Sequence, residues 1–497
     1  MVRSRVALRG ILFGCALVEL GPACGDSTDG DDVGIGTSVT LTGTTGSDTG
    51  STHDGTADDE SSGPVSTSSS MTTVSTNGGD GDGDGDDDAG VCTDGVVDEG
   101  EQCDDGNMDD RDGCNNDCTI SGSLLWEHTH ASGLGATDQA TGVAIDPESD
   151  AYVVGWVATP ATGDDIWLRR YGAAGSLVWT RSVDGPASGT DRANGVARSP
   201  DGSLFVVGSV ATVSASNDVW VARYDADGNQ IWAQTYGGAP GGDDQGFAVA
   251  TDGTGSAIVT GFHTVEVWVD EFDVVYPRNV WVSKYDPAGN VAWTVGHGGA
   301  ALGHDAGLGV ATDSAGNVVV VGYEAVAGQG RNMWIRKYDP AGGVLWTVMH
   351  DGPESLDDEA TAVAIDVGDE ILVAGQEGAS AIPWRWWLSR YDAAGTVMWT
   401  RTWEGTTEEG ARATGVSASN GIAVVTGLER EAGHNHVVVR KYGPDGFELW
   451  TTAVRGIEEA NHVGTATALG ADGRSYAVGG VDRGVDGRDA WIGRFAQ

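Results

Sequence analysis

From Leu124 to the end of the chain one order of apolar and polar positions recurs. A unit holds four short runs: a small-residue run around Gly-Val-Ala, a nearly continuous apolar run, a run carrying two aromatics, and a run alternating about one tryptophan. In residues 141–183 these are Thr141 to Asp146, Ala151 to Ala158, Asp165 to Tyr171 and Leu177 to Val183. Short β-branched and alternating runs bounded by turn residues predict strands joined by hairpins. Turns such as Tyr224-Asp225-Ala226-Asp227-Gly228 link the third run to the fourth, with Asp capping the backbone and Gly supplying the positive φ of a tight turn.

The fourth-run tryptophans, Trp126, Trp179, Trp232, Trp293, Trp346, Trp399 and Trp450, lie 53, 53, 61, 53, 53 and 51 residues apart. Four strands in a period of about 50 predict an all-β fold, a seven-bladed β-propeller of four-stranded blades over residues 124–497. The repeat opens on a lone fourth-type strand, Leu124 to His130, and ends on a third-type strand, Asp489 to Phe495. If the N-terminal strand joins the last blade, the ring has no free edge, and whatever precedes it enters beside the C-terminus. The third runs align Trp167, Trp220, Trp281, Trp334, Trp387 and Trp491, with Val438 in the sixth unit. Four residues on they align Tyr171, Tyr224, Tyr285, Tyr338, Tyr391, Tyr442 and Phe495. Period-two geometry puts both sets on one strand face, as packing between blades requires. A cation precedes each of the latter: Arg170, Arg223, Lys284, Lys337, Arg390, Lys441 and Arg494. These are expected to pair with acids of the neighbouring blade.

Composition changes upstream. Residues 1–23 carry three arginines ahead of a short apolar core from Ile11 to Val18, the layout of an export signal and too short to span a bilayer. Residues 24–91 are rich in Ser, Thr, Gly and Asp, with fifteen acids and no Lys or Arg; so little apolar surface predicts a disordered tether. Its acidic run from Asp80 to Asp88 suits loose calcium binding or plain extension by charge repulsion. Residues 92–118 hold Cys92, Cys103, Cys114 and Cys118, whereas the repeat region holds no cysteine. An even set in an exported, apolar-poor segment predicts a small disulfide-rich module with two bridges and three connectivities open. Zinc is the rival, but no C-x-x-C pair is present. The net charge is −47, and the region after residue 118 has 23 cations against 48 acids. Such a chain repels phosphate backbones and anionic headgroups, which argues against a nucleic-acid partner and leaves a lipid anchor as its route to a membrane.

Three resemblances rest on these residues. The Gly-Val-Ala strand, the strand ending in Val-x-Gly and the aromatic strand resemble the bacterial SBBP, or seven-bladed β-propeller, repeat across residues 124–497. Val91-Cys92-Thr93-Asp94-Gly95, Gly100-Glu101-Gln102-Cys103-Asp104-Asp105-Gly106-Asn107, Asp112-Gly113-Cys114 and Cys118 resemble one copy of the myxobacterial disulfide repeat of surface-exposed proteins. Leu20-Gly21-Pro22-Ala23-Cys24 resembles a lipobox, which implies cleavage before Cys24 and lipid attachment to it; the alternative is a plain secretory signal. Together these imply an exported lipoprotein of the outer membrane or cell surface, acting as a monomer, or else a secreted protein.

No catalytic constellation stands out: the repeat region has no cysteine, no Gly-Lys phosphate loop and no Gly-x-Ser-x-Gly turn. His130, His297 and His350 each follow a fourth-run tryptophan by four residues, but on different blades, whose outer strands diverge. Asp104, Asp105, Asn107, Asp110 and Asp112 cluster in the stapled loop as a candidate calcium site of oxygen ligands; no cofactor is otherwise required. Asp138, Asp191, Asp244, Asp305 and Asp358 precede first strands, where they either ring one mouth of the axial channel or accept N–H bonds in their own loops. Departures from the repeat are the better pointers to function. Eight extra residues fall within Phe262 to Arg278, with Glu266, Trp268, Asp270 and Tyr276 among them, and Trp384 and Trp386 stand beside Trp387. Both features interrupt the link between second and third runs, so both are expected on one face, where aromatics with acids suit a protein or glycan partner or a locally packed hairpin. The reading is a non-catalytic surface lipoprotein whose propeller is a binding or scaffold platform. The alternative is an exported propeller enzyme, quinoprotein-like or glycan-active.

Overall fold

The structure, a computed structural model, describes residues 95–98, 101–108, 113–133, 135–213, 216–239, 241–269, 274–455, 461–484 and 487–497. The expected export signal of residues 1–23, Cys24, the tether of residues 24–91 and Cys92 lie outside the described residues.

Seven four-stranded antiparallel sheets follow one another as the tryptophan spacing predicts. Blade one comprises Gln139–Ile145, Ala151–Thr159, Gly163–Tyr171 and Leu177–Val183. Blade seven is split between the two ends of the repeat: Val463–Leu469, Ser475–Asp482 and Arg488–Phe495 pair in order, and Leu124–His130 adds outside Arg488–Phe495. The expected closure is therefore present, and Ala496 N donates to Ser123 O at 2.8 Å beside it. Val367–Asp369 is a helical turn, and among the described residues no helix is long and apolar enough to cross a membrane.

First strands of successive blades touch in a closed ring around the axis. Each carries a bulge, and four of them turn a threonine there toward the next blade. Thr141, Thr361, Thr414 and Thr465 donate to the carbonyls of Ala193, Ala413, Gly464 and Ala140 at 2.7, 2.9, 2.8 and 2.7 Å. The last of these bonds crosses the seam from blade seven to blade one.

Second and third strands are sandwiched between neighbouring blades and are buried on both faces, whereas the outer strands alternate. Trp281, Trp334, Trp491 and Phe495 fill these interfaces and are fully buried. The fourth-strand tryptophans reach across: Trp126 Nε1 donates to Ala173 O at 3.0 Å and Trp179 Nε1 to Ala226 O at 3.1 Å. The turn that supplies the carbonyl lays its glycine on the indole. A methyl at Gly175 (φ +88°) would sit 3.1 Å from Trp126 Cδ2. At the seam this turn is cut, and Gly122 (φ +73°) replaces it over Trp450, where a methyl would lie 2.6 Å from Cδ2. Thr452 Oγ1 secures the same glycine through its carbonyl at 2.7 Å.

The cations before the third-strand aromatics correct one expectation. Their acids belong to their own blade: Arg170 meets Asp150 at 2.9 Å, Lys284 meets Asp252 at 2.7 Å, Lys337 meets Asp313 at 2.8 Å and Arg390 meets Asp366 at 2.7 Å. These acids sit in the turn between first and second strands, which antiparallel pairing brings beside the end of the third. The neighbouring blade supplies a turn carbonyl instead, as Ala393 O does for Lys337 at 3.2 Å.

Ahead of the ring, Cys103 and Cys114 form a disulfide with Cα atoms 5.8 Å apart, and Cys118 is also disulfide-bonded.

Candidate binding face

Loops that join successive blades and loops that join second to third strands emerge on the same face of the ring. The acids singled out in sequence anchor five of the former. Asp191 accepts Gly185 N at 2.6 Å through one oxygen and Ala211 N at 2.7 Å through the other. Gly185 leaves the preceding blade and Ala211 ends the second strand of Asp191's own blade, so the carboxylate ties two blades together. Asp138, Asp244, Asp305 and Asp358 repeat the arrangement. Of the two sequence readings, these acids therefore act as acceptors in their own loops. Burial pushes all five carboxyls upward against the opposing pull of the N–H bonds, Asp244 to about 6. In blade seven His462 takes the position, its Nδ1 accepting Asp482 N at 3.1 Å, and burial lowers its pKa to about 4. Asp165, Asp184 and Asp191 bring one oxygen each within 4.8 Å of one another, but both Asp191 oxygens are engaged. Beside them an open cleft of about 640 Å³ runs between the outer parts of blades one and two, along Val183, Asp184, Pro186, Trp220 and Gln234.

Next to the anchors, three aligned positions recur at the blade junctions: a residue at the start of a first strand, and one residue each from the second and third strands of the blade before. At the junction of blades one and two, Arg192 pairs with Asp164 at 2.7 Å and covers Trp156 at 4.3 Å from the ring centroid. At the next junction but one, Arg278 covers Phe262 at 4.5 Å. Arg331 then pairs with Glu359 at 2.7 Å and covers Tyr323 at 4.5 Å, and Arg412 covers Trp384 at 5.2 Å. At the seam, Arg488 passes over Gly480, where a methyl would lie 2.4 Å from Arg488 Cδ and 2.8 Å from Gln139 Oε1. Five of the seven junctions thus carry one half-buried arginine. Among the described residues the guanidinium groups of Arg412 and Arg488 have no ion pair and no hydrogen bond, and the Nε of each is buried without a partner. Burial lowers the pKa of both. Motif reading passed over this layer; the available signal was the residue three before each third-strand aromatic, which is Arg278, Arg331 and Arg488 in three blades but Asp164, Asn217 and Asn435 in three others.

The expected ligand face divides. Trp268 and Tyr276 are 64% and 53% exposed, on or beside a separate hairpin of Val267–Trp268 and Val274–Val275. Glu266 is exposed with them and accepts Trp268 Nε1 at 2.7 Å; Asp270 lies outside the described residues. Trp384 is half-buried under Arg412. Trp386 has to be removed from the exposed set: it is fully buried between blades five and six, edge-on to Trp403 at 5.8 Å. The third strand begins at Trp384, so successive residues enter opposite interfaces of one blade, with Trp387 facing blade four. His297 and His350 serve packing, contacting Glu324 and Glu377 at 2.8 and 2.7 Å and lying against Trp334 and Trp387 of the next blade.

In the stapled module Asp104 Oδ1 accepts Gly95 N at 3.1 Å and Gly106 N at 2.8 Å, and Asp105 Oδ1 accepts Asn107 N at 3.3 Å. These three candidate calcium ligands thus also shape the loop's own backbone. Asp110 and Asp112 lie outside the described residues.

No protein-family model matches the chain. A stretch of 119 residues is 33% identical to the Regulatory protein FlaEY of Caulobacter vibrioides, covering 20% of this chain and 12% of that protein, so the chain spans only a small part of this relative. Among solved structures the chain is similar to the polysaccharide lyase PL25-Ulvanlyase, with a TM-score of 0.47 and 11% identity over 73% of this chain and 95% of the other. It is also similar to the β-propeller domain of the Trilobed protease from Pyrococcus furiosus, with a TM-score of 0.41 and 11% identity over 71% and 91%. At these values nothing of their chemistry carries over.

Proposed function

We propose that the protein is a non-catalytic binding platform, exported and attached to the cell surface through lipid on Cys24, that holds a protein or glycan partner on the face bearing the interblade loops. The observation that carries this reading is the extra hairpin. It joins no blade sheet, yet it keeps Trp268 and Tyr276 largely in water beside the Glu266 carboxylate. Leaving apolar surface exposed forgoes about 25 cal/mol for every Å², and exposed aromatics with a polar rim are the usual make-up of a partner site. A closed ring presents such a patch with little ordering cost on binding. The reading needs no cofactor.

The test is a screen of the full chain against a glycan array and cell-surface extracts, followed by the double substitution Trp268→Ala with Tyr276→Ala. Binding is expected to weaken by at least about tenfold while the melting temperature moves by no more than a few degrees, since exposed side chains carry little stability. Undiminished binding, or a large loss of stability, overturns the assignment. The anchor is tested separately: Cys24→Ser is expected to move the protein from the membrane to the soluble fraction, and unchanged fractionation removes that part of the proposal.

A further inference from the structure

We infer that the cleft between the outer parts of blades one and two is a site for an amino sugar, a six-membered ring carrying an ammonium group, held between Trp220 and Asp184. The inference goes beyond the partner reading and does not rest on the Trp268 hairpin.

The cleft has a cause in the repeat. At other junctions the residue four after an outer-strand tryptophan is a ring that lies against the third-strand tryptophan of the next blade: His130 is 5.5 Å from Trp167, Tyr236 5.0 Å from Trp281, His297 5.2 Å from Trp334 and His350 5.3 Å from Trp387, centroid to centroid. Before Trp220 that residue is Val183, so the bulk of a ring is missing there. Val454 holds the same place before Trp491, but there Glu127 of the same blade accepts Trp491 Nε1 at 2.7 Å. Strand register puts Ala233 at the matching point of blade two. Trp220 is only 5% exposed, yet its Nε1 has no hydrogen bond among the described residues and is not sealed from solvent as those of Trp167, Trp281, Trp334 and Trp387 are. The opening it reaches is the cleft that Trp220 lines, and a buried donor without a partner calls for an acceptor oxygen.

The rim supplies the opposite chemistry. Asp184 is exposed and makes no hydrogen bond or ion pair among the described residues, and Asp165, which accepts Thr162 Oγ1 at 2.8 Å, has no cation bonded to it. With Asp191 they bring one oxygen each within 4.8 Å of one another, so this end of the cleft attracts a cation and repels an acidic sugar. Gln234 commits its Nε2 to Gly289 O at 2.6 Å and keeps Oε1 as a further acceptor. Val183, Pro186 and Val210 line the same space with apolar surface. An amino sugar answers each of these: a hydroxyl or ring oxygen for Trp220 Nε1, ammonium and hydroxyl protons for Asp184 and Gln234, and C–H faces for the apolar walls. The cleft, at about 640 Å³, has room for more than one such unit of a chain.

The probe is the trimer of glucosamine, with cellotriose as its uncharged counterpart and trilysine as a cation without a sugar ring. Titration calorimetry and thermal melting of the full chain are expected to show saturable heat and a raised melting temperature with the glucosamine trimer, and binding at least about tenfold weaker for each of the other two. Val183→Tyr restores the ring that Tyr236 supplies over Trp281 and leaves the net charge unchanged; it is expected to weaken trimer binding by at least about tenfold, with the unliganded melt within a few degrees of the parent's. Ala233→Glu offers Trp220 the carboxylate that Trp491 has and is expected to do the same, although it adds attraction for a cation. Asp184→Asn, at an exposed and unbonded position, is expected to weaken binding a few-fold without moving the melt, and it decides the matter if both cleft-filling variants melt well below the parent. No response to the glucosamine trimer at about 10 mM overturns the proposal. Undiminished binding by a variant that keeps the parent's melt assigns the attraction to the acidic surface at large and overturns it. Cellotriose binding as tightly removes the ammonium, and trilysine binding as tightly assigns the cleft to a basic peptide; either result overturns it as well.

Discussion

At Asp244 two demands conflict. Its oxygens accept Gly238 N and Thr264 N, which favours the charged form, but burial, with Asp218 and Asp243 nearby, disfavours that form more and pushes the pKa from 3.8 to about 6. Because the folded value lies above the unfolded one, the native state holds a proton in this window that the unfolded state releases. The associated stability is complete below pH 3.8 and is lost as pH rises through about 6. Asp252 and Asp313 act the other way: for both, the Lys284 and Lys337 ammonium groups together with hydroxyl, amide or backbone donors outweigh burial and lower the pKa, so their contribution is lost as pH falls through the depressed values. His130 and His462, lowered to about 4 chiefly by burial, also stabilise the fold with rising pH, between 4 and 6.5. The net slope mixes these terms, so the useful readout is the difference between parent and Asp244→Asn. That substitution turns an amide donor toward a backbone donor and is expected to cost about 1–3 kcal/mol near pH 4, with the penalty shrinking as pH is raised to 7. Urea midpoints measured from pH 4 to 7 check it, and a penalty independent of pH would show that Asp244 is not protonated in the folded state.

Among the elements, the strand Leu124–His130 and Gly122 close the outer side of the ring, while Thr465 and Tyr476 bond across the seam further in. Gly122→Val forces a β-branched residue into a positive φ and onto Trp450, and is expected to cost about 1–3 kcal/mol by chemical denaturation. Deleting Leu124–His130 is expected to cost more, because it bares the edge of Arg488–Phe495 and strips Trp126 from Ala173. Strand order, blade number and this closure were legible in the sequence because the tryptophan period and the Tyr-Asp-x-x-Gly turns are local signals. Trp386 was misread for a physical reason: in a blade buried on both sides, period two no longer separates inside from outside, and adjacent tryptophans serve different interfaces. The partners of Arg170 and Lys284 were missed because a hairpin, not a neighbouring blade, returns the acid to the cation. Least visible was the arginine layer, whose three positions come from three strands of two blades and meet only once the sheets are stacked in a ring.

For the whole molecule, the absence of cysteine after residue 118 separates two kinds of stability. A reductant is expected to loosen the segment closed by Cys103 and Cys114 while leaving the ring's melting temperature unchanged, and a chain beginning at Ile120 is expected to melt within a few degrees of the full one. Calorimetry with and without dithiothreitol checks both. The split blade also decides how the molecule bears force. Leu124 pairs opposite Phe495 at one end of the closing strand, and His130 pairs opposite Ala490 at the other. Because the strands run from one face to the other, a pull from the N-terminal side that is resisted on the opposite face acts along Leu124–His130 and loads its pairs together in shear, instead of opening them one after another. Gly122, held by Thr452 and seated on Trp450, stands first in that line. The seam that completes the circle is thus also its clamp, and under tension along the axis it yields only when the pairs of the closing strand give way together.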